Sequence, residues 1–166
     1  MDKWFCTQCG KKEIPQYTEY CEECAEASFK KIGGWLYLPA IGLILSLIIL
    51  IFQIGVAVYT IPSVSYYATL QQTVIFTLIG NILLFLLTIH TATLFFNKSK
   101  QTPRFYILLR LLNIVIQSIT VYLVVDGLGH SIDYTLIVPV LQQVITAAIW
   151  IPYFMVSVRV KKTFVN

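Results

Sequence analysis

The stretch LYLPAIGLILSLIILIFQIGVAVYT, Leu36–Thr60, runs for twenty-five residues without a charged side chain. As a helix it is about 37 Å long at 1.5 Å per residue, enough to cross a hydrocarbon core of roughly 30 Å. A helix in water would carry charges along one face, and this one has none. Three further runs repeat the pattern. Residues 72–96 are uncharged unless His90 is protonated, 105–125 carry Arg110 alone, and 135–158 carry no charge. Over 166 residues the chain is 57% hydrophobic and only 12% charged. A soluble domain has roughly half its residues apolar and about a quarter charged. The fold class expected is therefore an all-α membrane protein, a four-helix transmembrane bundle. The polar connections IPSVSYYATLQ, NKSKQTPR and DGLGHSID are short, which predicts antiparallel neighbours. The opening MDKWFCTQCG is polar and lacks the basic-then-apolar order of a signal peptide, so the first span is expected to direct insertion.

Lysine and arginine set the expected orientation. Eleven of the twelve lie before the first span, in the loop after the second, or in the tail after the fourth; the twelfth is Arg110. Basic loops stay cytoplasmic, so both termini are expected inside, with the protein in the inner membrane.

All four cysteines fall in the segment so placed. Cys6, Cys9, Cys21 and Cys24 read C-x2-C-x11-C-x2-C. A reducing compartment disfavours structural disulfides, and two paired knuckles supply the four thiolates of a tetrahedral zinc shell. Gly10 suits a tight knuckle turn, whereas Ala25 departs from the commoner C-x2-C-G. A disulfide or free thiols, and an iron site of the rubredoxin kind with a longer spacer, are the competing readings. A closed four-thiolate shell offers no position for catalysis, so the expected cofactor is structural Zn in a ribbon-like module over 1–31, with the membrane domain over 32–166.

Residues 1–31 contain five lysines and six acids, and a four-thiolate zinc centre adds a charge of about −2. Nucleic acid wants a basic face, so it is not an expected partner. Trp4, Phe5 and Tyr20 are expected to cover a miniature core. A cytoplasmic protein partner, or docking on the protein's own loops, remains.

Three segments carry a family resemblance: GGWLYLPAIGL from Gly33, PRFYI from Pro103 and WIPYFMVSVRVKKTF from Trp150. Over about 32–164 the chain resembles the bacterial membrane-protein family catalogued as domain of unknown function 2569. The resemblance implies four transmembrane helices and assigns no chemistry or catalytic residue. On their own chemistry, Gly33 and Gly34 read as a flexible joint, Trp35 and Tyr37 suit the membrane interface, and Pro152 is expected to kink the fourth helix.

Helical projection gives each span one small or polar stripe. The first has Pro39, Gly42, Ser46, Gln53 and Ala57; the second Thr73, Thr77, Gly80, Asn81, Thr88 and Thr91; the third Arg110, Asn113, Gln117 and Thr120; the fourth, on a broader face, Pro139, Gln142, Thr146, Tyr153 and Ser157. These stripes are expected to converge inside the bundle, either as packing or as a hydrated cavity. Arg110 lies shallow enough to snorkel to the membrane surface, yet shares its stripe with Asn113 and Gln117. No span holds a carboxylate to pair with it, so a lipid headgroup or another anion is the candidate partner for these three residues. His90 projects away from the Asn81 stripe. Asp126, His130 and Asp133 read as a solvated loop. No nucleophile–base pair or phosphate-binding loop stands out, and an enzyme is not expected. Two functions fit. One is a membrane adaptor or accessory subunit docking a cytoplasmic partner through its ribbon. The other is a small transporter, channel component or lipid-binding protein using the polar interior.

Overall fold

A computed structural model describes residues 4–15, 18–24, 34–64, 67–129, 131 and 133–165. Strands β1 (Trp4–Phe5) and β2 (Glu13–Ile14) form an antiparallel hairpin. A 3-10 turn, Gly34–Leu36, leads into α1 (Tyr37–Val64), followed by α2 (Ala68–Phe96), α3 (Thr102–Leu128), α4 (Tyr134–Val156) and the short α5 (Val158–Thr163). Helices α1 to α4 are each long and apolar enough to cross a membrane, and the chain is a four-helix membrane protein.

The helix ends differ from the expected spans for identifiable reasons. Helix α1 continues past Thr60 through Pro62 to Val64. The Thr60 and Ser63 hydroxyls donate to the carbonyls of Val56 and Thr60, both at 2.7 Å, which engages backbone acceptors in the last turns. Helix α3 starts early because Pro103 sits in its first turn, where a missing N–H costs least. The fourth span ends early. Ser157 is extended, with ψ 121°, and its hydroxyl accepts the Val160 N–H at 3.5 Å. The apolar run over 135–158 is thus cut at Val156 by a cap, and α5 begins there with Lys161 and Lys162 in its last turn.

Extended contacts join α1 to α2, α2 to α3 and α3 to α4; among the described residues none of that extent joins α1 to α4. The densest packing lies at the end where α2 stops and α3 begins. Leu36, Phe95, Tyr106, Phe154, Val160 and Phe164 are all almost fully buried there. Tyr106 stacks on Phe154 with centroids 4.3 Å apart, and Phe164 meets Phe95 edge-on at 5.2 Å. Helix α5 therefore folds back to close this aromatic end. Elsewhere the outer faces are apolar and open, as at Phe52 and Val156, as lipid-facing surfaces require.

Small residues bring α2 and α3 together. A Cβ on Gly80 would lie 2.8 Å from Ile116 Cγ2. The hydroxyls on the polar stripes bond within their own helices rather than across the bundle. Ser46, Thr77, Thr88 and Thr120 donate to the carbonyls of Gly42, Thr73, Leu84 and Ile116. The amides and Arg110 are left to furnish the interior.

Candidate functional site

The four cysteines meet through a short chain of backbone contacts. β1 delivers the chain to Cys6, whose N–H donates to the Lys12 carbonyl at 3.0 Å as the hairpin returns. The Gly10 N–H donates to the Cys6 carbonyl at 2.8 Å, closing the first knuckle with Gly10 at φ +62°. That left-handed turn is where glycine is favoured. The second knuckle is tied to the first by the Thr7 N–H and hydroxyl, which both donate to the Glu19 carbonyl, at 3.2 and 2.9 Å. The Cys21 N–H donates to Cys6 Sγ at 3.3 Å.

The sulfurs of Cys6, Cys9, Cys21 and Cys24 all lie within 4.8 Å of one another, with Cys9 and Cys21 at 3.9 Å. A tetrahedral Zn–S4 shell with 2.3 Å bonds sets its sulfurs roughly 3.8 Å apart. The four thiols are free, with Cys6 and Cys21 buried and the other two half-buried. The donor set and its spacing therefore fit one metal ion. N–H donation from Cys21 and then Cys9 holds the Cys6 thiol down at about 6. The Lys11 and Lys12 amides likewise lower Cys9. Cys24 is pushed up to about 12, chiefly by its hydrogen bond with Cys21. The first knuckle is thus prepared for the anionic form, and in the second a bound cation would replace a shared proton.

The aromatic residues beside the cysteines do not cover a core. Trp4, Phe5 and Tyr20 are 51, 50 and 43% exposed. The sulfurs occupy the centre of so small a module, and the rings stand outside them. Next to Cys21 lies a groove of about 380 Å³ lined by Ile14, Pro15 and Tyr20 together with Glu13, Glu22 and Glu23. Lys12, on the same groove, pairs with Glu23, both in solvent.

Arg110 lies inside the bundle. It is 9% exposed, and its Nη2 donates to the Tyr106 hydroxyl at 2.9 Å. Its guanidinium carbon stands 5.0 Å from the Tyr106 ring centroid, and its buried Nε has no partner. Gly42 on α1 leaves room beside it, since a Cβ there would come 3.8 Å from Nη2. The guanidinium borders a cavity of about 250 Å³ that Asn113 and Gln117 also line, with Ser46 and Gln53 from α1, Asn81 from α2, and Gln142 and Gln143 from α4. All four polar stripes therefore contribute to one chamber. A second cavity, about 420 Å³, lies farther from the aromatic end and shares Gln53, Asn81 and Gln117 with the first. Three amides form the boundary between the two.

Tyr106 is the residue that the sequence reading missed. Its position four before Arg110 on one helix face was the available signal. His90 packs edge-on against Phe105 at 4.7 Å, away from the cavity. Asp133 caps α4, accepting the Tyr134 N–H at 2.6 Å, and Asp126 accepts from the Tyr122 hydroxyl at 3.2 Å. His130 lies outside the described residues, as do Lys30, Lys31, Gly33 and the expected domain boundary at 31/32. Gly34 is not a free swivel. It adopts φ +58° in an ordered turn, and a Cβ there would stand 2.9 Å from the Arg159 guanidinium.

The profile of a family described as "Protein of unknown function (DUF2569)" matches residues 29–165. No curated protein and no solved structure matches the chain.

Proposed function

The chain belongs to the DUF2569 family, which assigns it no activity, and from its own chemistry we propose a membrane-anchored docking protein. In this reading the four cysteines hold one structural zinc. The ribbon lies on the cytoplasmic side of a bacterial inner membrane, and its groove receives a segment of a partner protein. The role is one of binding rather than catalysis. The observation that carries it is the groove beside Cys21, where exposed Tyr20 and Pro15 and half-buried Ile14 adjoin Glu13, Glu22 and Glu23. Apolar surface fringed by acids suits a peptide with both apolar and basic side chains. Exposed aromatic residues are also the side chains that most often dominate such contacts.

Native purification of the full chain from its own membranes tests this. A stoichiometric protein partner is expected with the parent. Tyr20→Ala is expected to lose it while keeping its metal, because the tyrosine is not a ligand. Retention of the same partner by Tyr20→Ala and by Trp4→Ala would defeat the proposal.

The orientation has its own test. An impermeant thiol reagent added to intact cells is expected to label Ser131→Cys and spare Ser99→Cys, since Ser99 sits between Lys98 and Lys100 in a basic loop. Labelling of Ser99→Cys alone would invert the topology and place the ribbon outside.

A further inference from the structure

Arg110 is a buried cation in a part of the chain that offers it no anion. The one carboxylate on the four long helices is Asp126, near the far end of α3 and about 24 Å along the helix from Arg110, and the partner Arg110 does find is the neutral Tyr106 hydroxyl. A phenol accepts one hydrogen bond and leaves the positive charge uncompensated. The Nε donor is buried and unpartnered. An isolated charge out of water is strongly disfavoured unless it is paired, so an arrangement of this kind calls for a counter-charge.

The cavity beside the guanidinium has the right size and lining for one. Its volume of about 250 Å³ exceeds the space of a phosphate or carboxylate group, and Asn113 and Gln117 add amide donors. Access is also visible. Helices α1 and α4 make no extended contact, and Gln53 and Gln142, which both line the cavity from those helices, are exposed. Amides facing hydrocarbon without partners are costly, so the gap between α1 and α4 is a polar mouth in a lipid-facing wall. A second copy of this chain seated there would cover the amides. It would bring no carboxylate to the depth of Arg110, because the one on its four long helices is Asp126, near the far end of α3.

We propose that this chamber is a binding site for an anionic phosphate or carboxylate group, held by Arg110 and admitted between α1 and α4. The guanidinium donates to the anion's oxygens in a forked geometry, which an ammonium does not reproduce. Tyr106, which does not line the cavity, holds the side chain through its hydroxyl. The group belongs either to a membrane phospholipid or to a small soluble anion, and both present the same oxygens.

The full-length protein, delipidated in neutral detergent, separates these sources when it is offered two probes. One is phosphatidylglycerol, followed by native mass spectrometry. The other is inorganic phosphate, followed by thermal stability against chloride at matched ionic strength. The parent is expected to retain one phosphatidylglycerol or to be stabilised by phosphate, and which probe succeeds names the source. Arg110→Lys is expected to weaken that binding by roughly tenfold, the loss of about one charge-assisted hydrogen bond. Arg110→Gln is expected to abolish it. Gly42→Leu keeps the arginine but grows a side chain into the space beside Nη2, and is expected to lose binding as well. Size-exclusion profiles identify any variant that fails to fold, and the other variants then carry the test. The proposal is overturned if the parent takes neither probe, or if folded Arg110→Gln and Gly42→Leu bind as the parent does. Disulfide formation between Gln53→Cys in one copy and Gln142→Cys in another, with the parent taking neither probe, would assign the gap to self-association instead.

Discussion

Replacing Cys6 with serine is expected to strip the metal and unfold the ribbon while leaving the bundle inserted and stable. Cys6 is buried, and it is the sulfur to which the Cys21 N–H donates, so it joins the two knuckles as well as supplying a ligand. Around it stand a two-residue hairpin and exposed aromatics, with little apolar burial to hold the chain together. Structural zinc in units this small contributes about 10–16 kcal/mol of apparent binding free energy at neutral pH, and that energy is the folding energy. Elemental analysis of the purified parent is expected to give one zinc per chain, and of the Cys6→Ser variant none. Hydrogen exchange is expected to lose protection at the Cys6 and Gly10 amides and to leave α2 unchanged. Iron in the parent, or zinc retained by the variant, would refute the assignment.

The second large effect is expected in the bundle. Gly80→Val places a branched side chain where even a Cβ would lie 2.8 Å from Ile116 Cγ2. Ile116 is buried, and that methyl sits on its own Cβ, so neither partner can move aside without shifting a helix. Overpacking of this kind costs about 1–3 kcal/mol, and the thermal midpoint in detergent is expected to fall by several degrees. Ile116→Ala should recover part of the loss in the double variant, which isolates the contact from any general effect of valine in the helix. A double variant as unstable as the sum of the two single variants would mean that Gly80 serves something other than this crossing.

Much of the fold was readable because the bilayer imposes simple requirements. Runs of twenty or more residues with at most one charge have few other places to go, and four such runs became α1 to α4. The ends were harder. Pro62 and the polar residues after Thr60 read as a loop, but hydroxyls bonded to the preceding turns let α1 run on. Ser157 lay inside a continuous apolar run, and its role as a cap emerged only once Val160 came within reach. The cysteine spacing was sufficient to bring four sulfurs together, because a C-x2-C knuckle is a local structure. Burial of Trp4, Phe5 and Tyr20 depends on how much chain surrounds them, and the expected cover did not form. Arg110 shows the same limit from the other direction. Its stripe was visible in a helical projection, but whether it turned to the surface or inward depended on Gly42 in a different helix and on Tyr106 one turn away.

The uneven packing along the bundle has a mechanical meaning. Tyr106, Phe154, Phe95 and Phe164 lock the helices at one end, and Leu36 at the start of α1 belongs to the same cluster. Farther along, α1 and α4 face each other across a gap. Two long rods joined at one end behave like the arms of a tuning fork. A small tilt at the joint becomes a displacement that grows with distance from it. Widening of the gap by an occupant is therefore felt least at the aromatic end and most at the far tips, near Val64 and Tyr134. The stiff end supplies the fulcrum, and the loops at the open end carry the travel.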